Sequence, residues 1–489
     1  MTGVADAVAR LDGLAAQPAV ARLSAAFAEA GHELALVGGP VRDAMLGHRG
    51  ADLDFTTDAR PDAIARILRP IASAVWEVGR AYGTIAARVA GEEVEVTTYR
   101  RDRYVPSSRK PEVEFGDDLH GDLKRRDFTV NAIALRLPSL AVVDPTGGIA
   151  ALLERRLTTP SPAVESFDDD PLRMLRAARF EARLGFRLDP DGRSAMQALA
   201  PRIEVVSAER VRDELIKLLS ATRATAGLRL LVDTGLAAIV LPELPALRLT
   251  VDSQHRHKDV YEHSLTVLEQ AVDLEQERFP GTPPDVVLRL AALLHDIGKP
   301  ATRRFESDGQ VTFHHHDVVG AKLARKRLKA LRFPNDVVDQ VFGLIELHQR
   351  FFGYGEGEWT DSAVRRYARD AGELLPRLHI LTRADVTTRN VKKARRLSIA
   401  YDDLEARIAV LEEQEALSAI RPDLDGEAIM RILGVPPGRI VGEARSFLLE
   451  ARLEEGPLGA EEAERRLRAW HRSRSWLLDA ANNSCEIEK

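Results

Sequence analysis

The spacing of apolar residues changes character along the chain, and each change predicts a different kind of element. Residues 1 to 30 alternate alanine-rich apolar positions with polar ones, as a surface helix without visible chemistry would. Residues 34 to 57, LALVGGPVRDAMLGHRGADLDFTT, begin with an apolar run that ends at Val37 and reads as a buried strand. Gly38 and Gly39 then allow a tight turn, Val41 to Leu46 read as a helix start, and Ala51 to Thr56 alternate as a strand does. Pro61 to Leu68 predicts a helix, while strands are expected around Val75, over Thr84 to Val89 and over Glu93 to Tyr99, the last pair turning at Gly91. Residues 100 to 126 lose the pattern and predict a basic loop carrying Arg100, Arg101, Arg103, Arg109, Lys110, Lys124, Arg125 and Arg126. DPTGG at 144 to 148 reads as a closing turn. From about Phe167 the period is helical, apart from connectors rich in proline and glycine, and the final ANNSCEIEK is expected to be disordered.

Chemistry concentrates where these elements change. A strand, a glycine turn and a helix start leave backbone N–H groups free to meet phosphate, and Arg42 can add a charged fork. In the next strand Asp52 and Asp54 share a face, and two fixed carboxylates favour a cation between them; oxygen ligands of this kind suit magnesium. Glu95, on the opposite strand face from Val94 and Val96, is either a third metal-facing carboxylate or a solvated strand residue. In KRRDFTVNAIAL, Arg126, Asp127 and Asn131 are placed to contact triphosphate and ribose, unless they form ordinary salt bridges at an element's end. Further on, Asp170, Arg173, Arg176 and Arg179 recur every third residue, a slanting stripe on one helix. It reads as a solvent-exposed salt-bridge ladder, or as groups that meet a base edge and phosphate.

Composition narrows these readings. A chain of 489 residues with 45% apolar residues supports about three domains. With 69 Lys plus Arg against 75 Asp plus Glu, a uniformly basic surface is excluded, so any nucleic-acid site is a local patch. Aromatic residues are 5%, which argues against long base-stacking platforms. Cys485 is the only cysteine, so neither an intrachain disulfide nor a cysteine zinc site is possible, and a reducing compartment fits. No export signal or membrane span is read, and a cytoplasmic protein is expected.

Together LVGGPVRD, ADLDFTT, EVTTYR, RRDFTVNA and DDPLRMLRAARF resemble the class II branch of the tRNA nucleotidyltransferase and bacterial poly(A) polymerase superfamily, over about residues 30 to 235. The resemblance implies an α+β fold: an N-terminal helical segment at 1–30, a catalytic head with a mixed β-sheet at 31–160, an all-α neck with a nucleotide-selecting motif at 161–250, an HD domain at 251–400 and a tRNA-binding tail at 401–480. It implies two magnesium ions at Asp52 and Asp54 and triphosphate contacts at the Gly38-Gly39 turn and Arg42, with further nucleotide contacts from Arg126. Asp170 and Arg173 would select the base, Arg176 and Arg179 carry over by matched spacing, and Asp169 stands where the family usually has glutamate. SAERVRDEL, at 207 to 215, resembles the next helical motif, read as structural. The implied activity is template-independent addition of CCA to tRNA 3′ ends from CTP and ATP, with no DNA or membrane partner. Poly(A) addition, or addition of only CC or only A, is the close alternative. An RNA-binding or regulatory HD hydrolase with a silent transferase site is the alternative of another class, and intact Asp52 and Asp54 argue against it.

Between 255 and 400, ionisable residues recur on apolar helix faces: His263 with Val260 and Val267, His295-Asp296 after Leu293 and Leu294, His348 after Leu344 and Ile345, and Asp385 after Leu378 and Leu381. Burying several such groups together is costly without a cation. The order His263, His295-Asp296 with IGKP, then Asp385 resembles the HD phosphohydrolase superfamily, and His316 and His348 fall where some members bind a second metal. That implies a divalent transition metal or magnesium, and hydrolysis of a phosphomonoester or cyclic phosphate. Basic clusters at 322 to 332 and 389 to 396 are either contacts to the tRNA backbone or solvated helix faces. RPDLDGEAIMRILGVPPGRIVGEA resembles the tail of longer family members, with Gly434, Gly438 and Gly442 serving turns or close approach to RNA.

Overall fold

The apolar run Leu34–Val37 is buried at all four positions and forms β1, which has a partner on each side. In chain order follow β2 (Leu53–Thr57), β3 (Ala72–Trp76), β4 (Thr84–Val89), β5 (Glu92–Thr98), β6 (Arg100–Arg103), β7 (Glu112–Phe115), β8 (Ala134–Leu137) and β9 (Val142–Val143). Seven of them make one mixed sheet in the order β3-β4-β5-β2-β1-β8-β9, with β2 and β5 parallel and the other neighbours antiparallel. The computed structural model describes residues 4–48, 52–103, 112–116, 118–248, 259–307, 311–351, 359–387, 390–415 and 421–484. It divides into two units, Met1–Thr250 with Arg327–Pro334, and Val251–Lys326 with Asn335–Lys489.

Two expectations for the first unit are corrected. The 100–126 segment is not a loop throughout: β6 and β7 pair antiparallel, and Asp118 starts a helix at Leu119–Lys124 by accepting from the N–H groups of His120 and Gly121. The register sets Arg101 opposite Glu114 and Arg103 opposite Glu112. Residues 104–111, with Arg109 and Lys110, lie outside the described residues. The N-terminal segment forms two helices, Val4–Ala15 and Pro18–Glu29, and the second buries Ala19, Val20, Leu23 and Phe27. Arg10, on the first, donates from Nε and Nη2 to the carbonyls of Ala44 and Met45 at 2.7 and 3.1 Å. These carbonyls lie at the end of the helix Gly39–Leu46, where intrahelical donors run out.

The second unit is helical, with one short hairpin, Arg304–Phe305 with Val311–Thr312, among its described residues. Helix Val286–Leu294 buries eight of its residues, and Val260–Arg278, Asn335–Leu347 and Leu375–Ala384 pack against it. The tail helices Gly426–Leu433, Arg439–Glu455 and Ala460–Ser484 close on Leu424, Ile429, Ala444, Leu448, Ala463 and Leu467. Turns account for two of the tail glycines: Gly434 ends a helix at φ 67° and Gly438 precedes the next. Gly442 lies inside that helix, and a Cβ there would meet nothing within 4 Å. Residues 481–484 are helical, against the expected disorder, and Cys485 with the last residues lies outside the described part. Among the described residues no helix is long and apolar enough to cross a membrane.

Candidate functional site

The sheet sets out the first site. Gly38 has φ 77°, a conformation that costs glycine nothing, and a Cβ there would lie 3.2 Å from Arg126 Nη1. The missing side chain lets that guanidinium close on the turn. Gly39 opens the helix Gly39–Leu46, longer at its start than the expected Val41. On β2, Leu53 and Phe55 are buried, so Asp54 lies on the other face, with Asp52 just ahead of the strand. Parallel pairing sets Asp54 level with Glu95 of β5, so these two carboxylates sit on neighbouring strands of one face. Burial pushes the Asp54 carboxyl up to about 6; the charge of Arg126 opposes this, while Glu95 and Asp52 add to it. Arg126 therefore stands between the glycine turn and the carboxylates. Asp52 and Glu95 are exposed, and the three acids do not form a group with oxygens all within 4.8 Å.

Arg42, Asp127 and Asn131 are turned inward instead. Arg42 is buried and donates from Nη1 to Asn131 Oδ1 at 2.5 Å and from Nε to Asp43 Oδ1 at 2.8 Å. Asn131 Nδ2 donates to Asp127 Oδ1 at 2.9 Å, and Asp127 Oδ2 accepts from Arg176 Nε at 2.7 Å. Burial alone would raise the Asp127 carboxyl, but Arg176 and the hydrogen bonds outweigh it and hold the group well below the usual carboxylate range. These residues connect the glycine-turn helix to the neck helix Leu172–Leu184.

The stripe on that neck helix is not a solvent-exposed ladder, because Arg173 and Arg179 are 7% and 9% exposed. Their partners lie off the helix. Arg173 donates to Ser166 Oγ at 2.8 Å and to the Arg125 carbonyl at 2.5 Å. Arg179 pairs with Glu214 at 2.8 Å, beneath it the ring of Phe180 at 4.3 Å. Half-buried Asp170 accepts from the Leu172 N–H at 3.2 Å and has Arg210 at 3.6 Å. Asp170 and Arg173 thus sit at the start of the neck helix, and Arg173 is joined through Arg125 to the segment that carries Arg126.

The second unit gathers the other predicted ligands. His263, His295 and Asp385 form one group with ligand atoms within 4.8 Å of one another, and Asp296, His316 and His348 form another. Asp296 joins the groups: Oδ2 lies 3.4 Å from His263 Nε2 and 3.3 Å from His295 Nε2, and Oδ1 lies 3.3 Å from His316 Nε2. Each of His295, His316 and His348 places Nδ1 against a carbonyl three residues earlier, that of Ala292, Phe313 or Ile345. This turns every Nε2 inward, as outer hydrogen bonds do for metal-binding histidines. His348 Nε2 is buried without a hydrogen-bond partner. Burial lowers the His348 pKa to about 4, with the neighbouring His295 charge acting the same way, so its ring is neutral and ready to ligate. The donor set fits a pair of divalent metals sharing Asp296.

Residues 34–158 match the family described as Poly A polymerase head domain, 185–247 the one described as Probable RNA and SrmB- binding site of polymerase A, and 260–390 the HD domain. The A-adding tRNA nucleotidyltransferase of Deinococcus radiodurans is 36% identical over 428 residues, 86% of this chain and 91% of that one. The chain belongs to the tRNA nucleotidyltransferase family. The CC-adding tRNA nucleotidyltransferase of Thermus thermophilus is 35% identical over 88% of this chain and 91% of that protein. The CCA-adding enzyme of Geobacillus kaustophilus is 42% identical over 44% of this chain and 52% of its own length. The crystal structure of the Bacillus stearothermophilus CCA-adding enzyme in complex with CTP superposes with a TM-score of 0.68 at 26% identity, covering 93% of this chain and 97% of that one.

In this nucleotidyltransferase several residues that shape the site carried no recognised signal. Asp122 is buried and takes Arg125 on Oδ1 and Arg126 on Oδ2, at 2.9 and 3.2 Å, and Thr56 of β2 donates to it at 3.3 Å. Asp43 holds Arg42, and Lys299 donates to Asp296 at 2.6 Å. Asp43 and Lys299 lie inside quoted motifs, VRD and IGKP. Asp43 also has a partner across the fold, Arg183 of the neck helix at 3.3 Å, whereas Lys299 and Asp296 are three residues apart.

Proposed function

We propose that this nucleotidyltransferase adds C, C and A to tRNA 3′ ends from CTP and ATP without a nucleic-acid template. The observation that carries the reading is Arg126, set between a glycine turn suited to phosphate and a strand face bearing Asp52, Asp54 and Glu95. A carboxylate pushed up by burial and by two like-charged neighbours is the environment a cation relieves, so the residues fit magnesium. Asp52 and Asp54, with Glu95 alongside, would hold it. Bound magnesium would supply charge stabilisation at the phosphoryl oxygens. The N–H groups from Gly39 and the guanidinium of Arg126 orient the triphosphate so that the RNA 3′-hydroxyl attacks the α-phosphate in line and pyrophosphate leaves. Asp170 and Arg173, at the head of the neck helix, present an acceptor and donors to the base once Arg173 exchanges its present partners for it. Arg42, Asp127, Asn131 and Arg176 hold head and neck helix in register.

Partial addition is the second reading, favoured by the near full-length similarity to one A-adding and one CC-adding enzyme. The deciding experiment incubates the protein with tRNA lacking CCA, lacking A, or complete, supplies each nucleoside triphosphate singly and together, and sequences the 3′ ends. Restoration of CCA on the shortest substrate supports the first reading; a stop at CC, or extension only of tRNA ending in CC, replaces it. For the HD unit we infer two divalent metals sharing Asp296 and hydrolysis of a phosphomonoester or 2′,3′-cyclic phosphate. Phosphatase and cyclic phosphodiesterase assays with added metals, comparing wild type and His295→Ala, test it; no activity in either leaves the unit structural.

A further inference from the structure

At the far end of the neck helix lies a cavity of about 540 Å³ that serves none of the steps above. Four arginines line it, Arg187, Arg193, Arg223 and Arg229, with two carboxylates, Glu181 and Asp233. The carboxylates are already engaged. Arg193 donates to both oxygens of Glu181 at 3.0 and 3.2 Å, and Asp233 pairs with Arg248 at 2.8 Å. Arg187 and Arg223 are exposed and make no ion pair within 4 Å among the described residues, the charge of Arg187 reaching Glu181 only at longer range. Local structure sets both side chains in place. Leu188 is buried on the short strand Arg187–Leu188, so alternation sends Arg187 outward. Gly185 ends the neck helix at φ 67°, and a Cβ there would fall 2.7 Å from Arg223 Nη1, so the guanidinium lies over the helix's C-terminal end. The surplus of guanidinium groups stands out in a chain of net charge -6, and guanidinium forks match phosphate oxygens.

The lining offers no exposed aromatic ring and no side-chain amide, Phe186 being buried, and its two carboxylates are engaged by arginines, which favours a backbone phosphate over a base. The neck helix has 13 residues, which puts the cavity roughly 20 Å from Asp170 by the rise of an α-helix. A group bound there is remote from the reacting end. The cavity draws on residues of the 185–247 segment, whose family description already names RNA. We propose that this arginine cavity is a phosphodiester-binding site that grips the RNA backbone of the tRNA substrate away from its 3′ end. The inference rests on tRNA being the substrate, as proposed above.

The test compares wild type with Arg187→Glu/Arg223→Glu and with Arg187→Lys/Arg223→Lys, measuring KM for tRNA and for CTP over a series of potassium chloride concentrations. Charge reversal is expected to raise the KM for tRNA about tenfold at low salt, and to flatten its logarithmic salt dependence by roughly one to two units, as loss of two phosphate contacts would. The lysine pair should keep most of the tRNA affinity, which separates lost charge from a lost fold. An unchanged KM for tRNA in the glutamate variant overturns the proposal, as does a rise in the KM for CTP alone, which would assign the cavity to a free nucleotide. Failure of the underlying reading would show separately, as absence of tRNA extension by the wild type.

Discussion

The head and the HD unit both collect acidic side chains, and they do so in opposite ways. In the head the carboxylates come from adjacent strands, Asp52 and Glu95 are exposed, and the three acids stay apart. In the HD unit the ligands come from separate helices, His295 is 0% and Asp296 2% exposed, and the ligand atoms already converge. An open face of hard oxygen donors suits an ion that arrives with the phosphates of its substrate. A closed set of histidines around a shared aspartate suits metals that stay. Similar ionisable residues thus stay apart on the face of a central strand pair and converge in a helical core, where packed helices aim them at one point.

The largest expected effect probes the open face. Asp54→Ala should lower incorporation of labelled CTP and ATP into tRNA by at least roughly a hundredfold, the scale of losing a principal charge-stabilising group; ordinary turnover would remove Asp54 from the site. Next comes the closed one. His295→Ala should abolish stoichiometric metal in the HD unit, read by elemental analysis, while tRNA extension continues; loss of both activities together would dissolve the contrast. In the metal-free protein burial lowers the His295 pKa, but Asp296 and Asp385 outweigh it and raise it to about 10. Metal uptake at pH 8 should therefore release a proton, seen as a binding enthalpy that varies with the buffer.

A smaller effect concerns the join between head and neck. Asp127→Ala removes the nearest counter-charge of Arg176 and should cost about 2 kcal/mol, measured by denaturant unfolding. Because its folded pKa is depressed, Asp127 contributes stability that is present above the ordinary value of 3.8 and is lost as pH falls below it. Asp54 has the opposite sign. Its folded pKa is raised to about 6, so the metal-free protein is strained above pH 6 and relieved as pH falls from 6 toward 3.8. Asp54→Asn should raise the Tm of metal-free protein at pH 8, and the gain should fade below pH 4. An equal gain at both pH values would mean that Asp54 is not held charged against its surroundings.

Much of the head was legible because its signals are local. Pro61–Leu68 and Thr84–Val89 have the predicted bounds, since an opening proline and a period of two are written in neighbouring residues. The pairing of Arg100–Arg103 with Glu112–Phe115 was not legible, because the run RRDR shows no alternation of apolar and polar residues to mark it as a strand. The arginine stripe was seen, but its burial was not. Spacing shows which residues share a helix face, and says nothing of the Ser166, Asp127 and Glu214 that cover it.

By itself, then, the sequence determined the kinds of element and the chemical types they carry: a glycine turn before a helix, aspartates alternating along a strand, histidines on apolar helix faces. Tertiary structure alone decided which of these groups meet. Asp54 faces Glu95 only because β2 and β5 run parallel in one register, and Arg126 reaches the glycine turn only because buried Asp122 holds it. The division has a physical reason: backbone periodicity depends on residues a few positions apart, whereas an ion pair or a metal cluster depends on distances that the chain sets only when it has folded.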